Sequence, residues 1–386
     1  MIQIADKKMC CGCTACANVC PHRVITMQYD IYGHSYPKLD IDQCTDCGLC
    51  ERICPMLHTD LLPKDEQLDK LPVLAVYNKD EQIRQQSTSG GIFTALADYV
   101  FKRGGIVCGA RFDNTFHIFH DVASSLDELH NYRGSKYAQS DLGNIFVRLK
   151  QMLIDGTLVL FVGTPCQVAG LKSFLRHDYE KLITCDFICL GIGSPRIWEE
   201  YLNLYWNRSK LNRVMFKYKK YGWHHGAWRM LIEDDLGYHY FAPYDNPFFY
   251  TYLHAYTFRP SCFECPFKHV RRVSDFTISD CWGIDKENPT FDDNRGCSTV
   301  ILQSEKARNI FDRIKPYVMF VHYGAQAVMK YNPNILHNAS VPPDRESFYQ
   351  LYFSQGLQAA FCHYVNVSRK SLLCRIKSRI IQLIRK

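Results

Sequence analysis

Apolar and polar positions change their period several times along this chain. Val24-Ile-Thr-Met-Gln-Tyr-Asp and Tyr36-Pro-Lys-Leu-Asp, either side of Gly33, predict two short strands joined by a turn. Residues 60–71 are polar, with Pro63 within and Pro72 after them, as in a linker. From Val73 the pattern alternates. Val73-Leu-Ala-Val-Tyr, Ile106-Val-Cys-Gly-Ala, Leu158-Val-Leu-Phe-Val and Leu182-Ile-Thr-Cys-Asp-Phe-Ile-Cys predict buried strands. Between them, a glycine-containing turn opens a helix that ends at Gly104-Gly105. Residues 142–153 and those from Val168 onward also carry helical periodicity. Strands alternating with helices point to an α/β domain. Residues 213–218 and 230–240 look β-like, and the stretch from Glu305 looks mostly helical.

Composition narrows the class. The 386 residues suggest two or three domains, and 47 % hydrophobic with 22 % charged residues is ordinary for a soluble globular protein. No run of about 18 apolar residues occurs, so no membrane-spanning helix is expected, and residues 1–9 do not read as a signal peptide. The net charge of +7 is no nucleic-acid signature. Part of it lies at the end of the chain. There Leu372, Ile376, Ile380, Leu383 and Ile384 share one helical face, and Arg375, Lys377, Arg379, Arg385 and Lys386 lie towards the other. That pattern fits a helix lying on an anionic membrane surface, or one packed on its own domain.

Nineteen cysteines carry the chemistry. Cys10, Cys13, Cys16 and Cys20 stand at C-x2-C-x2-C-x3-C before Pro21, and Cys44, Cys47, Cys50 and Cys54 repeat the spacing before Pro55. This is the bacterial ferredoxin arrangement for two 4Fe-4S clusters, in which each run's last cysteine crosses to the other cluster. Cys10, Cys13, Cys16 and Cys54 should hold one, and Cys44, Cys47, Cys50 and Cys20 the other. Zinc also uses C-x2-C, but it does not ask for a third cysteine at the same spacing or a trailing Cys-Pro. Thiolate ligands and oxygen-sensitive clusters imply a reducing, cytoplasmic setting, with the inner face of the membrane as the alternative for the basic C-terminus.

A further set falls at strand ends: Cys166 in Gly163-Thr-Pro-Cys-Gln, Cys189 closing Asp186-Phe-Ile-Cys, and Cys262 with Cys265 in Cys-Phe-Glu-Cys-Pro. Spacing alone leaves four readings open. These are a third 4Fe-4S site, a structural zinc, scattered buried thiols, or a thiol–disulfide reductase at Cys166 with Cys189 or Cys262 as resolving partner.

Ser89-Gly-Gly, Gly134-Ser-Lys-Tyr, Phe161-Val-Gly-Thr-Pro-Cys-Gln-Val-Ala-Gly-Leu-Lys, Asp186-Phe-Ile-Cys, Cys262-Phe-Glu-Cys and Ser274-Asp-Phe-Thr-Ile-Ser-Asp-Cys-Trp-Gly occur in that order. Together they resemble the coenzyme F420 hydrogenase/dehydrogenase beta subunit family, here behind a dicluster ferredoxin domain. The resemblance implies an iron–sulfur flavoprotein with FAD and a third cluster at Cys166, Cys189, Cys262 and Cys265. It passes electrons between clusters and a two-electron substrate. Many ferredoxin-fused members resemble accessory enzymes encoded near surface-polysaccharide genes, which suggests a polysaccharide-related role. The chain departs from the family's usual pattern at Cys189-Leu-Gly, at Ser279-Asp280 and at Cys281, so its substrate need not be the deazaflavin.

The expected fold is α+β: a two-cluster ferredoxin module (residues 1–60), a linker (61–72), a mixed α/β flavin-binding domain (73–300) and a helical C-terminal tail (301–386). The backbone of Ser89, Gly90 and Gly91 at a helix start can bind the FAD pyrophosphate, or simply make a tight turn. Under the resemblance, Lys136, beside Ser135, places a charge near the flavin and Tyr137 stacks on it; a solvated lysine and a core tyrosine are the alternatives. Thr164, Pro165 and Gln167 flank a cluster ligand. In Tyr221-Gly-Trp-His-His-Gly-Ala-Trp, His224 and His225 can donate protons near neutral pH or merely pack. Lys217, Lys219 and Lys220 read as a solvated strand face, with an acidic partner as the alternative. The partners expected are a redox protein or reduced ferredoxin-like donor and a small two-electron substrate. The rival classes are an electron-transfer subunit without a substrate site and the thiol–disulfide reductase.

Overall fold

In the computed structural model, Ile2 and residues 6–365 are described. The two alternating stretches near the start form β1 (Ile25–Tyr29) and β2 (Ser35–Leu39), an antiparallel hairpin. The Asp30 carboxylate shapes its turn by accepting from the Tyr32 and His34 N–H groups. Gly33 has φ +80°, and a Cβ there would stand 2.4 Å from Cβ of Arg196, so only glycine fits this close approach to the main domain. Ser194 Oγ and Arg196 donate to the hairpin carbonyls of Tyr32 and Ile31.

The linker is laid on the main domain. The Arg271 N–H donates to the Asp65 carboxylate, its side chain donates to the Glu66 carbonyl, and Leu71 is buried.

The main domain is built on one eight-stranded sheet. Its strands are β3 (Val73–Asn78), β4 (Ile106–Phe112), β5 (Ile118–Ala123), β6 (Val159–Val162) and β7 (Leu182–Phe187). A separate antiparallel sheet comprises β8 (Leu211–Tyr218), β9 (Arg229–Asp234) and β10 (Gly237–Phe241). The large sheet is completed by β11 (Phe276–Asp280), β12 (Ser298–Leu302) and β13 (Val318–His322), in the order β13-β3-β12-β11-β7-β6-β4-β5. β4, β6, β7 and β11 are parallel neighbours; the flanking pairs are antiparallel. The parallel core explains why Val159, Leu160, Phe161, Leu182 and Ile183 read as continuous apolar runs, since both faces are covered.

The helix expected after Gly90 runs Ile92–Phe101, and the one expected from Val168 starts earlier, at Pro165. The stretch expected to be mostly helical also supplies β13, which pairs antiparallel with β3, and the boundary at 300 falls inside β12. The tail is therefore not a separate helical unit. β13 alternates poorly (Val318 buried, Met319 and Phe320 exposed), because it is an edge strand and only its pairing with β3 defines it. The helices Arg345–Gln355 and Leu357–Tyr364 pack Phe348, Tyr349 and Phe361 into the core around Trp198 and Phe248. The basic amphipathic stretch 372–386 lies outside the described residues. No helix among the described residues is long and apolar enough to cross a membrane.

Candidate functional site: cysteine cavities at the ends of parallel strands

In both ferredoxin runs the residues flanking the second cysteine are left-handed: Gly12 and Thr14 around Cys13, Asp46 and Gly48 around Cys47, with φ between +50° and +71°. This curls the chain, and in the outer run the Asp46 N–H meets Cys44 Sγ, as suits an anionic iron–sulfur site. Short helices follow, Ala15–Val19 carrying Cys16 and Leu49–Arg52 carrying Cys50.

Two cavities result. One, with about 330 Å³ of empty volume, is lined by Cys10, Cys13, Cys16 and Cys54; the other, with about 350 Å³, by Cys20, Cys44, Cys47 and Cys50. Each cavity takes its fourth cysteine from the other run. Among the described residues no three His, Cys, Asp or Glu side chains converge on a single metal-ion position. Four thiols ringing a cavity suit a multi-iron cluster. We call the cavities inner (Cys10) and outer (Cys44), by their distance from the main domain's cysteines.

The parallel strands deliver the second cysteine group. β6 ends at Gly163, and Thr164 caps the helix Pro165–Leu175. Thr164 Oγ1 accepts from the Gln167 N–H, and Gln167 Oε1 accepts from the Thr164 N–H, a reciprocal capping box with proline at the first helical position. This fixes Cys166 at the positive helix end, 3.1 Å from Thr164 Oγ1. β7 leads to Cys189, and the turn Pro260–Cys262 presents Cys262 and Cys265. The four thiols lie within one another's electrostatic reach. Burial pushes Cys189 up to about 12 and Cys265 up to about 11, with Cys166 adding to each; burial and then Cys189 and Cys265 raise Cys262. Lys268 and Arg272 oppose the rise at Cys189 and Cys265. Lys268 Nζ donates to the Cys189 carbonyl, while both Arg272 Nη atoms are buried without a hydrogen-bond partner. Four thiols beside Lys268 and the buried Arg272, whose Nη1 also stands 4.0 Å from the buried Asp186 carboxylate, suit an anionic cluster, so the donor set fits a third 4Fe-4S group.

The inner cavity is seated on this quartet. Cys11 lies against both Cys13 and Cys166, and its thiol is pushed well up by its neighbour Cys13 and by burial, against the effect of Cys166. Gly170 lies under Cys13; a Cβ there would stand 2.7 Å from Cys13 Cβ. Gln139 Nε2 donates to the Cys11 carbonyl at 3.1 Å. Arg259, three residues before Cys262, is 1 % exposed and reaches into the ferredoxin module, donating to Cys10 Sγ at 3.3 Å. Neither Cys11, Gln139 nor Arg259 stands out in the sequence. A cation directly before a Pro-Ser-Cys-x-x-Cys turn is the available signal for Arg259.

The residues 134–140 link the quartet to the other predicted positions. Ser135 N–H donates to Thr88 Oγ1, and Ser140 Oγ accepts from Gln167. Gly90 N–H donates to Ser298 Oγ and Ser89 Oγ to the Cys297 carbonyl, so this turn is tied inward to β12. Gly91 (φ +85°) starts the helix Ile92–Phe101, which has no side-chain cap. Its first N–H groups are the donors left for a phosphate. Lys136 Nζ donates to the carbonyls of Asn131, Tyr132 and Arg133. Burial, then Arg111, pulls its ammonium down to about 7. Tyr137 packs its ring against Phe216, Phe249 and Tyr252.

Lys217 and Lys219 are buried, which corrects the reading of them as a solvated strand face. Lys217 pairs with Asp280 at 2.8 Å and lies over the Trp282 ring, and Lys219 donates to the carbonyls of Arg84, Ser89 and Arg295. Charge on a β-strand reads as exposed unless its partners, here brought in by β11 and the turn after Ser87, are known. His225 stacks on Trp282 with ring centroids 4.2 Å apart, and burial, then Lys217, lowers its pKa. His224 bonds Asp292 at 2.7 Å. The structure thus gathers Ser89, Lys217, Lys219, His225, Asp280 and Trp282 on one side. Thr164, Cys166 and Gln167 lie with the quartet.

Residues 9–57 match the 4Fe-4S dicluster domain, residues 73–146 the N-terminal part of the coenzyme F420 hydrogenase/dehydrogenase beta subunit, and residues 156–320 its C-terminal part. A subunit of the F(420)H(2) dehydrogenase of Methanosarcina mazei is 22 % identical over 190 residues, 47 % of this chain and 53 % of that protein. The coenzyme F420-dependent sulfite reductase of Methanocaldococcus jannaschii is 28 % identical over 193 residues, 46 % of this chain and 28 % of that protein. The chain thus matches about half or less of the length of these curated relatives. A chain of the F420-reducing NiFe hydrogenase complex from Methanosarcina barkeri superposes with a TM-score of 0.49 at 16 % identity, over 73 % of this chain and 92 % of that one, a likeness too slight to argue from. The dicluster domain supports two 4Fe-4S clusters, and, with both parts of the beta subunit matched in order behind it, the chain belongs to the coenzyme F420 hydrogenase/dehydrogenase beta subunit family.

Proposed function

We propose that the chain is an iron–sulfur flavoprotein oxidoreductase that moves electrons between a one-electron protein donor and a two-electron organic carrier. The seating of the inner cavity on the quartet, through Cys11 and Arg259, carries this reading. It makes a continuous file of thiol-lined sites from the surface to the strand ends. Cys20, Cys44, Cys47 and Cys50 hold the outer cluster, Cys10, Cys13, Cys16 and Cys54 the inner one, and Cys166, Cys189, Cys262 and Cys265 a third. FAD, when bound, supplies the conversion between single electrons and a hydride. We assign its pyrophosphate to Gly91 and the uncapped helix start, with Ser89, Gly90 and Ser135 shaping that turn, and we assign Tyr137, packed among Phe216, Phe249 and Tyr252, to the flavin ring. Lys136 supplies charge from the same wall. Thr164, Pro165 and Gln167 fix Cys166. His225, kept neutral beside Lys217, is the group we assign to exchange a proton with the carrier, and His224, tied to Asp292, positions that loop.

Both relatives bear names that include the coenzyme F420, which makes this deazaflavin the first carrier to try. One is named as a subunit, and we infer that this chain likewise works with a redox partner protein. The exposed Cys47 marks the side where that partner docks. The comparisons lend no support to a polysaccharide-related role, and we do not propose one.

The Cys11–Cys166 contact also favours a second reading, a thiol–disulfide reductase with Cys11 as the resolving thiol. Both thiols are pushed well up, however, and a reactive thiol needs the opposite. Anaerobic purification with paired iron and flavin quantification decides. About twelve irons and one FAD per chain are expected for three cubanes and a flavin. About eight irons with no flavin, even after adding FAD, would overturn the flavoenzyme reading.

A further inference from the structure

We propose that Arg259 raises the reduction potential of the inner cluster above that of the outer one, and so directs single electrons inward towards the quartet. This rests on the cluster assignments above and is independent of the flavin.

The guanidinium is clamped on every side. Nε donates to the Cys10 carbonyl at 2.6 Å, Nη1 to Gln139 Oε1 at 3.1 Å, and Nη2 to the Ser35 carbonyl at 2.9 Å and to Cys10 Sγ at 3.3 Å. Its plane lies 4.1 Å from the Tyr36 ring centroid. A rigid fork cannot swing away as the cluster changes charge. A cationic donor on a ligating sulfur favours the more negative, reduced form, and in this buried setting its field is weakly screened. Among the described residues, no side-chain cation donates to an outer-cavity sulfur in this way. There the Asp46 N–H, a neutral donor, meets Cys44 Sγ at 3.4 Å, Arg52 donates to the Cys47 carbonyl from an exposed position, and Cys47 itself is open to water. The transfer is one electron: the outer site is oxidised by one, the inner reduced by one, and no bond or proton changes. Because Arg259 belongs to the main domain, the potential difference exists only when the ferredoxin module is docked.

The test is an anaerobic redox titration of the full chain, followed by electron paramagnetic resonance, for the wild type, Arg259→Met and Arg259→Lys. The Cys54→Ser variant identifies the inner signal by its loss. In Arg259→Met the reduced-to-oxidised ratio of the inner cluster at fixed potential should fall about tenfold, which is 59 mV for one electron. Arg259→Lys should shift it the same way by less, and the outer signal should stay put. An inner midpoint unchanged in Arg259→Met, or an equal shift of both signals, overturns the proposal. If Arg259→Met fails to hold iron, Arg259→Lys decides alone, and an unmoved inner midpoint there overturns it. Absence of flavin or of the third cluster would sink the proposed function yet leave this titration readable.

Discussion

The inner and outer ferredoxin cavities are made by the same device and live in different surroundings. Both have left-handed residues around the second cysteine and a fourth cysteine from the opposite run. The outer cavity faces solvent at Cys47. The inner one is roofed by Arg259, Gln139 and Gly170, all from the main domain. The comparison teaches that a cluster site can be local while its electronic character is imposed from elsewhere in the chain.

The comparison breaks most visibly at the crossed ligands. Cys54→Ser should strip the inner cluster and Cys20→Ser the outer one, each removing about four irons, as a cubane ligand loss implies. If Cys54→Ser instead silences the outer signal, the crossing is wrong. A smaller effect comes from a matched pair of glycines. Gly12 and Gly48 have nearly the same φ, +70° and +71°, but a Cβ on Gly12 would stand 2.7 Å from Gln139 Nε2 and 2.8 Å from Arg259 Nη1, and one on Gly48 meets nothing within 4 Å. Gly48→Ala should cost about 1–2 kcal/mol for the left-handed backbone. Gly12→Ala should cost about 1–3 kcal/mol more for overpacking. Anaerobic denaturant midpoints would show it; equal losses would mean that the roof gives way freely.

The smallest effect separates the two sides by pH. His34, at the hairpin that meets the main domain, is fully buried. Burial, then Arg259 and Arg345, lowers its pKa well below 6.5. The unfolded chain therefore takes up the proton first as pH falls. The stability His34 contributes is complete above about 6.5 and is lost below it, at no more than ~1.4 kcal/mol per pH unit. Between about pH 7 and about pH 5.5 we expect a loss on the order of 1 kcal/mol in denaturation midpoint, absent in His34→Phe. A wild-type curve that is flat over that interval would argue against a neutral His34 at the interface.

Much of this is legible because cysteine spacing is a local code. The doubled runs and the strand-end position of Cys166 follow from neighbours in sequence. So do β1, β2, β3, β4, β6 and β7, whose apolar patterns are clear. β11, Phe-Thr-Ile-Ser-Asp, mixes polar and apolar positions and does not announce itself as a strand, although it carries Asp280 to Lys217. Lys217 and Lys219 mislead for the same reason, since the carboxylate and carbonyls that receive them lie from 63 to 135 positions away in the chain.

The sequence by itself determined which cysteines ring the two ferredoxin cavities, because their placement is fixed by a few adjacent φ angles and one crossing residue. Only the tertiary structure decided which cavity faces the main domain, that Cys11 lies between Cys13 and Cys166, and that Arg259 reaches Cys10. Such contacts join residues 128 to 249 positions apart, and no local pattern records a partner that is reached only when separate elements pack together.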